Sequence, residues 1–520
     1  MESSAQMWGN GTLICTPIMA DSVDKVIADI AKAKAAGADL AEVRLDFLKS
    51  PIVDARSVLQ TIIQSSALPI LFTYRPTWEG GQYTGDEEER LDVLRLAMEL
   101  GANYIDIELK SARKFVDSIV AKKPPGCKVI ISSHNYENTP PIEELGNLVA
   151  KIQEAGADIV KVATTAVDIT DAARIFHIMV HSQAPIIAMA MGERGLISRI
   201  LSAKYGGYLT FGSLESGIVS APGQPTIKDL LELYNFRLIG PDTKVHGVIG
   251  KPIGQSKSPL LYNTSFKSLG YNGVYLHLLV DDLPRFLQTF SSIDFSGFSS
   301  TKPHKETAVK CCDVVDPVAR AIGAVNCIIR NQKDGKLYGY NTDYVGAITA
   351  IEDELRVSQN PDASFSPLNG KMFVVMGAGG AGRALAFGAK QKGARVVVAN
   401  RTFERAQKLA ECIGAEAMQL SELEKFHPER GMILANATSV GMLPNAHETP
   451  IIKDALKHYE LVFDAVYAPK MTKLLTEAEE CGKTIVNGVE MLIGQAYEQF
   501  ERFTGLPAPK ELFRSIMSTY

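Results

Sequence analysis

The sequence predicts an α/β protein, an N-terminal (β/α)8 barrel followed by a two-domain module that ends in a Rossmann-type domain. Three observations predict it. Short apolar runs alternate with helical spacing through the first half of the chain, a breaker cluster at Gly240-Pro241-Asp242 interrupts them, and a glycine-rich turn at Gly377–Gly382 follows a later apolar run.

Taken in order, strands are expected at 13–15, 40–44, 70–73, 104–108, 128–132, 159–162, 186–189 and 209–212, with helices such as 23–36, 87–100 and 142–155 between them. Eight βα units within about 225 residues favour a closed barrel over the alternative, an open doubly wound sheet. A helix-like stretch at 225–244 contains the breaker cluster, which marks the domain junction. Residues 245–350 begin a second α/β region, rich in Ser, Pro and His loops. A polar stretch at 358–367 then leads into strand 372–376, and a second strand follows at 395–399. The helical stretch 491–503 is expected to pack back on the middle piece. The resulting domains are 12–240, 244–350 with a C-terminal helix at 488–520, and 369–487.

Composition excludes several classes. A net charge of −5 over 520 residues provides no basic field for nucleic acid or an anionic membrane. The longest apolar runs, such as 372–376 and 396–399, fall far short of the roughly 20 residues that span a bilayer. The seven cysteines are odd in number and scattered without a C-x-x-C, which reads as buried thiols in a reducing compartment. No cluster has metal-ligand spacing. The first residues show neither an apolar signal core nor an Arg- and Ser-rich transit stretch. Either the protein stays in the cytosol or this chain lacks its address.

In a (β/α)8 barrel the C-terminal ends of the strands face the active site. Here they carry Glu42, Arg44, Arg75, Glu79, His134 and Lys161, with Met191, Arg199, Ser220 and Gln224 on the following segments. Singly, each reads as a surface ion pair or a structural histidine; the argument lies in their concentration on one rim. Lys161 ends an otherwise apolar strand, and an amine attacks a carbonyl only when neutral. Bringing its pKa from near 10.4 to near 7 takes about 4 kcal/mol from burial and nearby cations. Arg44, Arg75 and Arg199 are the expected cations, and His134 one strand earlier suits a proton shuttle.

The runs Ala41-Glu-Val-Arg44, Tyr74-Arg75 to Glu79, Ser133-His134-Asn-Tyr136, Asp158-Ile-Val-Lys161 and Ser220-Ala-Pro-Gly-Gln224 resemble type I 3-dehydroquinate dehydratase over residues 12–236. The resemblance implies an imine on Lys161 and proton transfer by His134, oriented by Glu79. It also implies that Glu42, Arg44, Arg75, Arg199, Ser220 and Gln224 hold the substrate, without a metal.

Later in the chain, Met376-Gly377-Ala378-Gly379-Gly380-Ala381-Gly382 follows a strand and opens a helix, the setting of a dinucleotide pyrophosphate site. The next strand ends in Asn400-Arg401-Thr402, with Arg405 beyond. Arginines stand where NAD binders place an acid, which suits the extra phosphate of NADP. Together with Ser256-Lys-Ser258, Thr301-Lys-Pro-His-Lys305, Asn326, Asp343 and Asn436–Met442, this half resembles shikimate dehydrogenase over 244–520.

That resemblance implies an acid–base pair of Lys305 and Asp343. It assigns Ser256, Ser258, Thr301, Asn326, Tyr467, Gln495 and Gln499 to substrate. NADP falls to Ala378, Gly379, Gly380, Ala381, Asn400, Arg401, Thr402, Arg405, Met442 and Gly488. Departures are Gly254-Gln255 where a His is frequent, Lys302, and Cys327 after Asn326.

The order of the two halves resembles the plant bifunctional family. It implies small-molecule partners only, no nucleic acid or membrane, a monomer and a plastid location. The alternatives are a dehydrogenase head turned to quinate or gallate, or a head reduced to metabolite binding without turnover.

Overall fold

The computed structural model describes residues 11–49, 54–120, 122–217, 219–357 and 365–518. Most of the expected polar stretch at 358–367, and the N-terminal residues 1–10, lie outside these. The chain divides into two compact units, Met1–Asp294 and Phe295–Tyr520.

In the first unit eight parallel strands run β1 (Leu13–Ile18), β2 (Leu40–Arg44), β3 (Ile70–Thr73), β4 (Tyr104–Glu108), β5 (Lys128–His134), β6 (Ile159–Thr165), β7 (Ile186–Met191) and β8 (Leu209–Phe211). Their spatial order is β7-β6-β5-β4-β3-β2-β1-β8. The ring approaches closure where the Tyr208 amide donates to Ile186 O at 2.7 Å. Several strands run past their expected ends. β6 continues through Thr164 and Thr165, which stay in register with Ala190 and Met191, so Lys161 is the third residue of the strand and not its last.

Alternate residues face the barrel interior, and their chemistry changes along each strand. At one end Cys15, Leu40, Leu71, Ile130, Ile159, Ile187 and Leu209 pack as an apolar floor. Two residues on, at the same parity, stand Glu42, Thr73, Asp106, Ser132 and Lys161, all buried.

The first unit continues past the Gly240-Pro241-Asp242 cluster. Buried Lys204 holds that junction to the barrel: its ammonium donates to the carbonyls of Pro241 and Thr243 and pairs with Asp294. Beyond it, β9 (Lys244–Gly250) and β10 (Gly273–Leu279) pair in parallel.

The second unit opens with β11 (Phe295–Ser300), β12 (Val314–Val315), β13 (Cys327–Arg330) and β14 (Leu337–Tyr340), hydrogen-bonded in the order β11-β13-β14-β12. A parallel sheet follows, made of β15 (Met372–Met376), β16 (Arg395–Asn400), β17 (Glu416–Gln419), β18 (Met432–Asn436), β19 (Tyr459–Asp464) and β20 (Thr484–Val486). Its order, β17-β16-β15-β18-β19-β20, is doubly wound, and the strand order reverses between β15 and β18, where such sheets bind nucleotides.

The helix Gly488–Thr504 returns to cross the helix Asp343–Val357, with two glycines at the crossing. A Cβ on Gly346 would stand 2.6 Å from Gln495 N, and one on Gly494 would stand 2.7 Å from Gly346 Cα. Only backbone meets backbone here. Gly346→Ala is therefore expected to destabilise the second unit by about 1–3 kcal/mol, the cost of overpacking. Scanning calorimetry checks this: one transition should move down while barrel unfolding stays in place.

Candidate active sites

The charged end of the barrel interior forms one continuous network. Lys161 Nζ lies 2.7 Å from Asp106 Oδ2, 3.6 Å from Glu42 Oε1 and 5.0 Å from the centre of the Phe211 ring. Asp106 also pairs with Arg75 at 2.9 Å and accepts from Ser132 Oγ at 2.6 Å. Arg75 reaches Glu108 at 2.7 Å, and Glu108 reaches Arg90 at 2.8 Å. Burial pushes the Asp106 carboxyl up, but Arg75 and Lys161 outweigh it and hold the group well below the usual carboxylate range.

The cationic surround expected from Arg44, Arg75 and Arg199 is not what lies nearest Lys161. Its nearest charge is a carboxylate, because an ammonium on an inward-facing strand position is too costly without a counter-charge. Asp106, Glu108, Ser132 and Arg90 were missed by sequence reading. Tyr104-Ile-Asp106-Ile-Glu108 does carry a signal, two acids at alternate positions of a strand.

At the rim, Glu79 Oε1 accepts from the His134 backbone amide at 2.8 Å and lies 3.2 Å from its Nδ1. A carboxylate only accepts, so Nδ1 carries the proton and Nε2 keeps a lone pair. Burial lowers the His134 pKa well below its ordinary value, helped by the charges of Arg75 and Lys161. Tyr136 stacks on the imidazole and donates to Glu79 O.

Among the expected substrate residues, Arg44 is turned into Asp46, with contacts of 2.9 and 2.7 Å. Arg199, in the helix Leu196–Ile200, is buried, and among the described residues its side chain reaches only Met189 Sδ and Pro222 O, both at 3.3 Å. Burial pulls its pKa down to about 10. Arg199 Nε and Gln224 Nε2 are buried donors without a hydrogen-bond partner among the described residues. Gln224 Oε1 accepts from Ser220 Oγ at 3.0 Å. One cavity is lined by Glu42, Arg44, Arg75, His134, Lys161, Arg199 and Ser220 together.

In the second unit Lys305 Nζ lies 2.5 Å from Asp343 Oδ2, and Asn326 Nδ2 donates to Asp343 Oδ1 at 2.8 Å. Gln499 Nε2 donates to Thr342 Oγ1 at 3.2 Å and to Gln495 Oε1 at 2.8 Å, while Ser299 Oγ donates to Gln499 Oε1. Thr301 is half-buried beside this network's strand, and Lys302 is exposed. Cys327 is fully buried, and burial pushes its thiol pKa up. Ser256 and Ser258 belong to the first unit, where the Ser258 amide donates to Ser256 Oγ at 3.3 Å.

The turn after β15 has the form a pyrophosphate needs. Gly377 has φ +107, and a Cβ on Gly382 would stand 2.0 Å from Gly377 O, so the first turn of the helix Gly380–Gln391 packs directly on the strand end. At Gly379 an added Cβ meets nothing within 4 Å, leaving the helix N-terminus open. Lys305 Cδ lies 3.7 Å from where a Cβ of Gly380 would be, which puts the Lys305–Asp343 pair beside this turn. Asn400 Oδ1 accepts from the Ala378 amide at 3.3 Å. Arg401, Thr402 and Arg405 are exposed, and neither arginine forms a salt bridge among the described residues. Ala381 is the second residue of that helix; Met442 and Tyr467 are exposed and Gly488 is buried. The residues fit a dinucleotide with an extra phosphate.

A barrel with a buried amine and a histidine–carboxylate dyad, joined to a doubly wound domain with a phosphate-ready turn, defines a two-headed enzyme. The family profile of type I 3-dehydroquinase matches residues 14–241, and that of the shikimate dehydrogenase substrate-binding domain matches 248–328. Shikimate / quinate 5-dehydrogenase matches 361–465, and the shikimate 5'-dehydrogenase C-terminal domain matches 488–517.

The chain is 65% identical over 516 residues to the chloroplastic bifunctional 3-dehydroquinate dehydratase/shikimate dehydrogenase of Arabidopsis thaliana, covering 98% of this chain and 85% of that one. It is 37% identical over 268 residues to the shikimate dehydrogenase (NADP(+)) of Bacillus cereus (strain G9842), covering 50% of this chain and 93% of that one. A solved shikimate 5-dehydrogenase from Thermus thermophilus, in complex with NADP(H) and shikimate, aligns over 53% of this chain and 99% of its own at 33% identity, with a TM-score of 0.45. The chain belongs to the bifunctional 3-dehydroquinate dehydratase/shikimate dehydrogenase family of the shikimate pathway, with a lyase head and an oxidoreductase head.

Proposed function

We propose that Lys161 forms an imine with the ketone of 3-dehydroquinate, the reading carried by its burial in one cavity with His134 and Arg199. Amine and ketone lose water to give a protonated imine. The imine retains the positive charge of the ammonium, so Asp106 stays matched through the step. His134 Nε2 takes the adjacent C–H proton and returns it to the departing hydroxyl, which leaves as water. Hydrolysis of the imine then releases 3-dehydroshikimate and restores the amine. Arg199 and Gln224, the buried donors awaiting an acceptor, take the carboxylate and a hydroxyl, together with Glu42, Arg44, Arg75 and Ser220.

In the second head Lys305 and Asp343 exchange the proton of the hydroxyl that is oxidised in shikimate. NADP, when bound, supplies the hydride acceptor. The turn Ala378–Ala381 and Gly488 hold it, Asn400, Thr402 and Met442 orient it, and Arg401 and Arg405 take its extra phosphate. Ser256 and Ser258 hold the substrate carboxylate, while Thr301, Asn326, Tyr467, Gln495 and Gln499 hold the ring. The quinate or gallate alternative is not favoured, since the relatives at 65% and 37% identity are named for shikimate.

The domains in this reading are 12–240, 244–350 with 488–520, and 369–487, a division supported by profile matches at 14–241, 248–328, 361–465 and 488–517. A plastid location is supported by the chloroplastic relative. Among the described residues no helix is long and apolar enough to cross a membrane. The protein works as a monomer in this reading, which light scattering of the purified chain checks.

Steady-state assays with 3-dehydroquinate, shikimate and quinate, each oxidation run with NADP and with NAD, test the whole assignment. Shikimate with NADP should be the preferred pair, and a quinate kcat/KM at or above that of shikimate overturns it. In Arg401→Ala the KM for NADP should rise roughly 10- to 150-fold, the value of one charge-assisted phosphate contact, while NAD use stays level. Equal loss with both cofactors means that Arg401 shapes the fold.

A further inference from the structure

Within the turn between β9 and the helix Ser258–Ser268 the Ser256 amide donates to Ile253 O at 3.0 Å. Gly254 and Gln255 are exposed, and Gly254 has no side chain to brace it. The barrel supports the turn from two further sides. On one side His277 of β10 lies between Ser256 O, 2.9 Å from Nε2, and the Tyr234 hydroxyl, 2.8 Å from Nδ1. The proton positions follow from the acceptors. A carbonyl only accepts, so Nε2 carries the hydrogen. The neutral ring then has its lone pair on Nδ1, and Tyr234 must donate. Tyr234 is buried directly after Asp229–Leu233, the helical turn that ends the barrel half, and its ring meets the imidazole edge-on at 84°. Burial lowers the His277 pKa, which keeps the ring neutral.

On the other side Arg194, in the turn Glu193–Gly195 after β7, grips Asp281 with contacts of 2.6 and 3.0 Å. Asp281 Oδ1 in turn lies 2.7 Å from Lys251 Nζ, at the start of the same turn. A Cβ on Gly254 would stand 3.6 Å from Glu193 Oε1. The turn is therefore anchored near its start and again at Ser256, each time to the barrel.

We infer that Tyr234 and His277 are positioning residues for the dehydrogenase head, through which the barrel sets the Ser256 carbonyl and hence the direction of the Ser256 and Ser258 hydroxyls. The inference rests on the reading of these serines as ligands of the substrate carboxylate. Hydroxyls on a turn bind a carboxylate well only when their backbone is fixed to a fraction of an ångström. The relay gives the dehydratase barrel a structural part in the partner reaction, distinct from passing it a substrate.

The test uses the full chain. Tyr234→Phe removes one oxygen and keeps the buried ring. It should raise the KM for shikimate about 3- to 10-fold, the worth of one buried hydrogen bond. The kcat, the KM for NADP and the dehydration kcat/KM should stay within twofold. Asp281→Asn, at the other anchor, should raise the same KM, and the double variant should raise it further. An unchanged shikimate KM in both single variants overturns the relay, as does a parallel loss in kcat and in NADP binding. Ser258→Ala separates the two levels. If it raises the shikimate KM while Tyr234→Phe does not, the relay fails and the ligand reading stands. If Ser258→Ala leaves that KM unchanged, the ligand reading fails and takes the relay with it.

Discussion

Lys161→Met is expected to lower dehydration of 3-dehydroquinate by at least about 10⁴-fold, the scale on which enzymes lose a covalent nucleophile. Methionine fills nearly the same volume inside the barrel. Asp106 retains Arg75 at 2.9 Å and Ser132 at 2.6 Å, so no carboxylate is stranded and the fold should persist. Shikimate oxidation in the same protein should remain near wild type, which separates loss of chemistry from loss of structure. Borohydride added during turnover should attach substrate-derived mass to the peptide containing residue 161 in the parent chain only. Equal trapping in Lys161→Met would move the imine to another amine.

The second large effect is expected at the other head. Lys305→Met should reduce shikimate oxidation about 10²- to 10⁴-fold, the range for removing a positioned proton-transfer group. The loss should fall on kcat, because Asn326, Gln495 and Gln499 still hold one another and Asp343 still accepts from Asn326 at 2.8 Å. Dehydration should be untouched. A change confined to KM would make Lys305 a binding group and leave the proton path unassigned.

Much of this was legible in the chain itself. The barrel strands and the glycine turn announce themselves locally, through runs of apolar residues and through backbone that only glycine permits. Lys161, His134 and Glu79 stand out because charge interrupts those runs. What stayed hidden depends on register and on distant contacts. Asp106 and Glu108 look like the polar half of an ordinary amphipathic strand until β4 and β5 are aligned, which puts Glu108 beside Ser132 and Ser132 beside Lys161. The close approach of Gly346 and Gly494 joins helices far apart in sequence, and no local pattern marks either glycine. The Tyr234–His277 contact depends likewise on a segment of the barrel half folding back onto β10.

The layering of the barrel interior has a consequence for how this protein can vary. At the apolar floor, exchange among Leu, Ile and Met keeps volume and costs less than about 1.5 kcal/mol, so that level is open to drift. One step along the same strands every charge answers another, from Lys161 through Asp106 and Arg75 to Glu108 and Arg90. Asp106, Arg75 and Glu108 each pair with two of the others, so changing one of these three leaves both of its partners short of a counter-charge, and acceptable variants there must arrive in pairs. A library randomised at single positions would find the floor permissive and the charged layer nearly closed. Sequence variation in the barrel is thus channelled by depth along the strand, more than by distance from the surface.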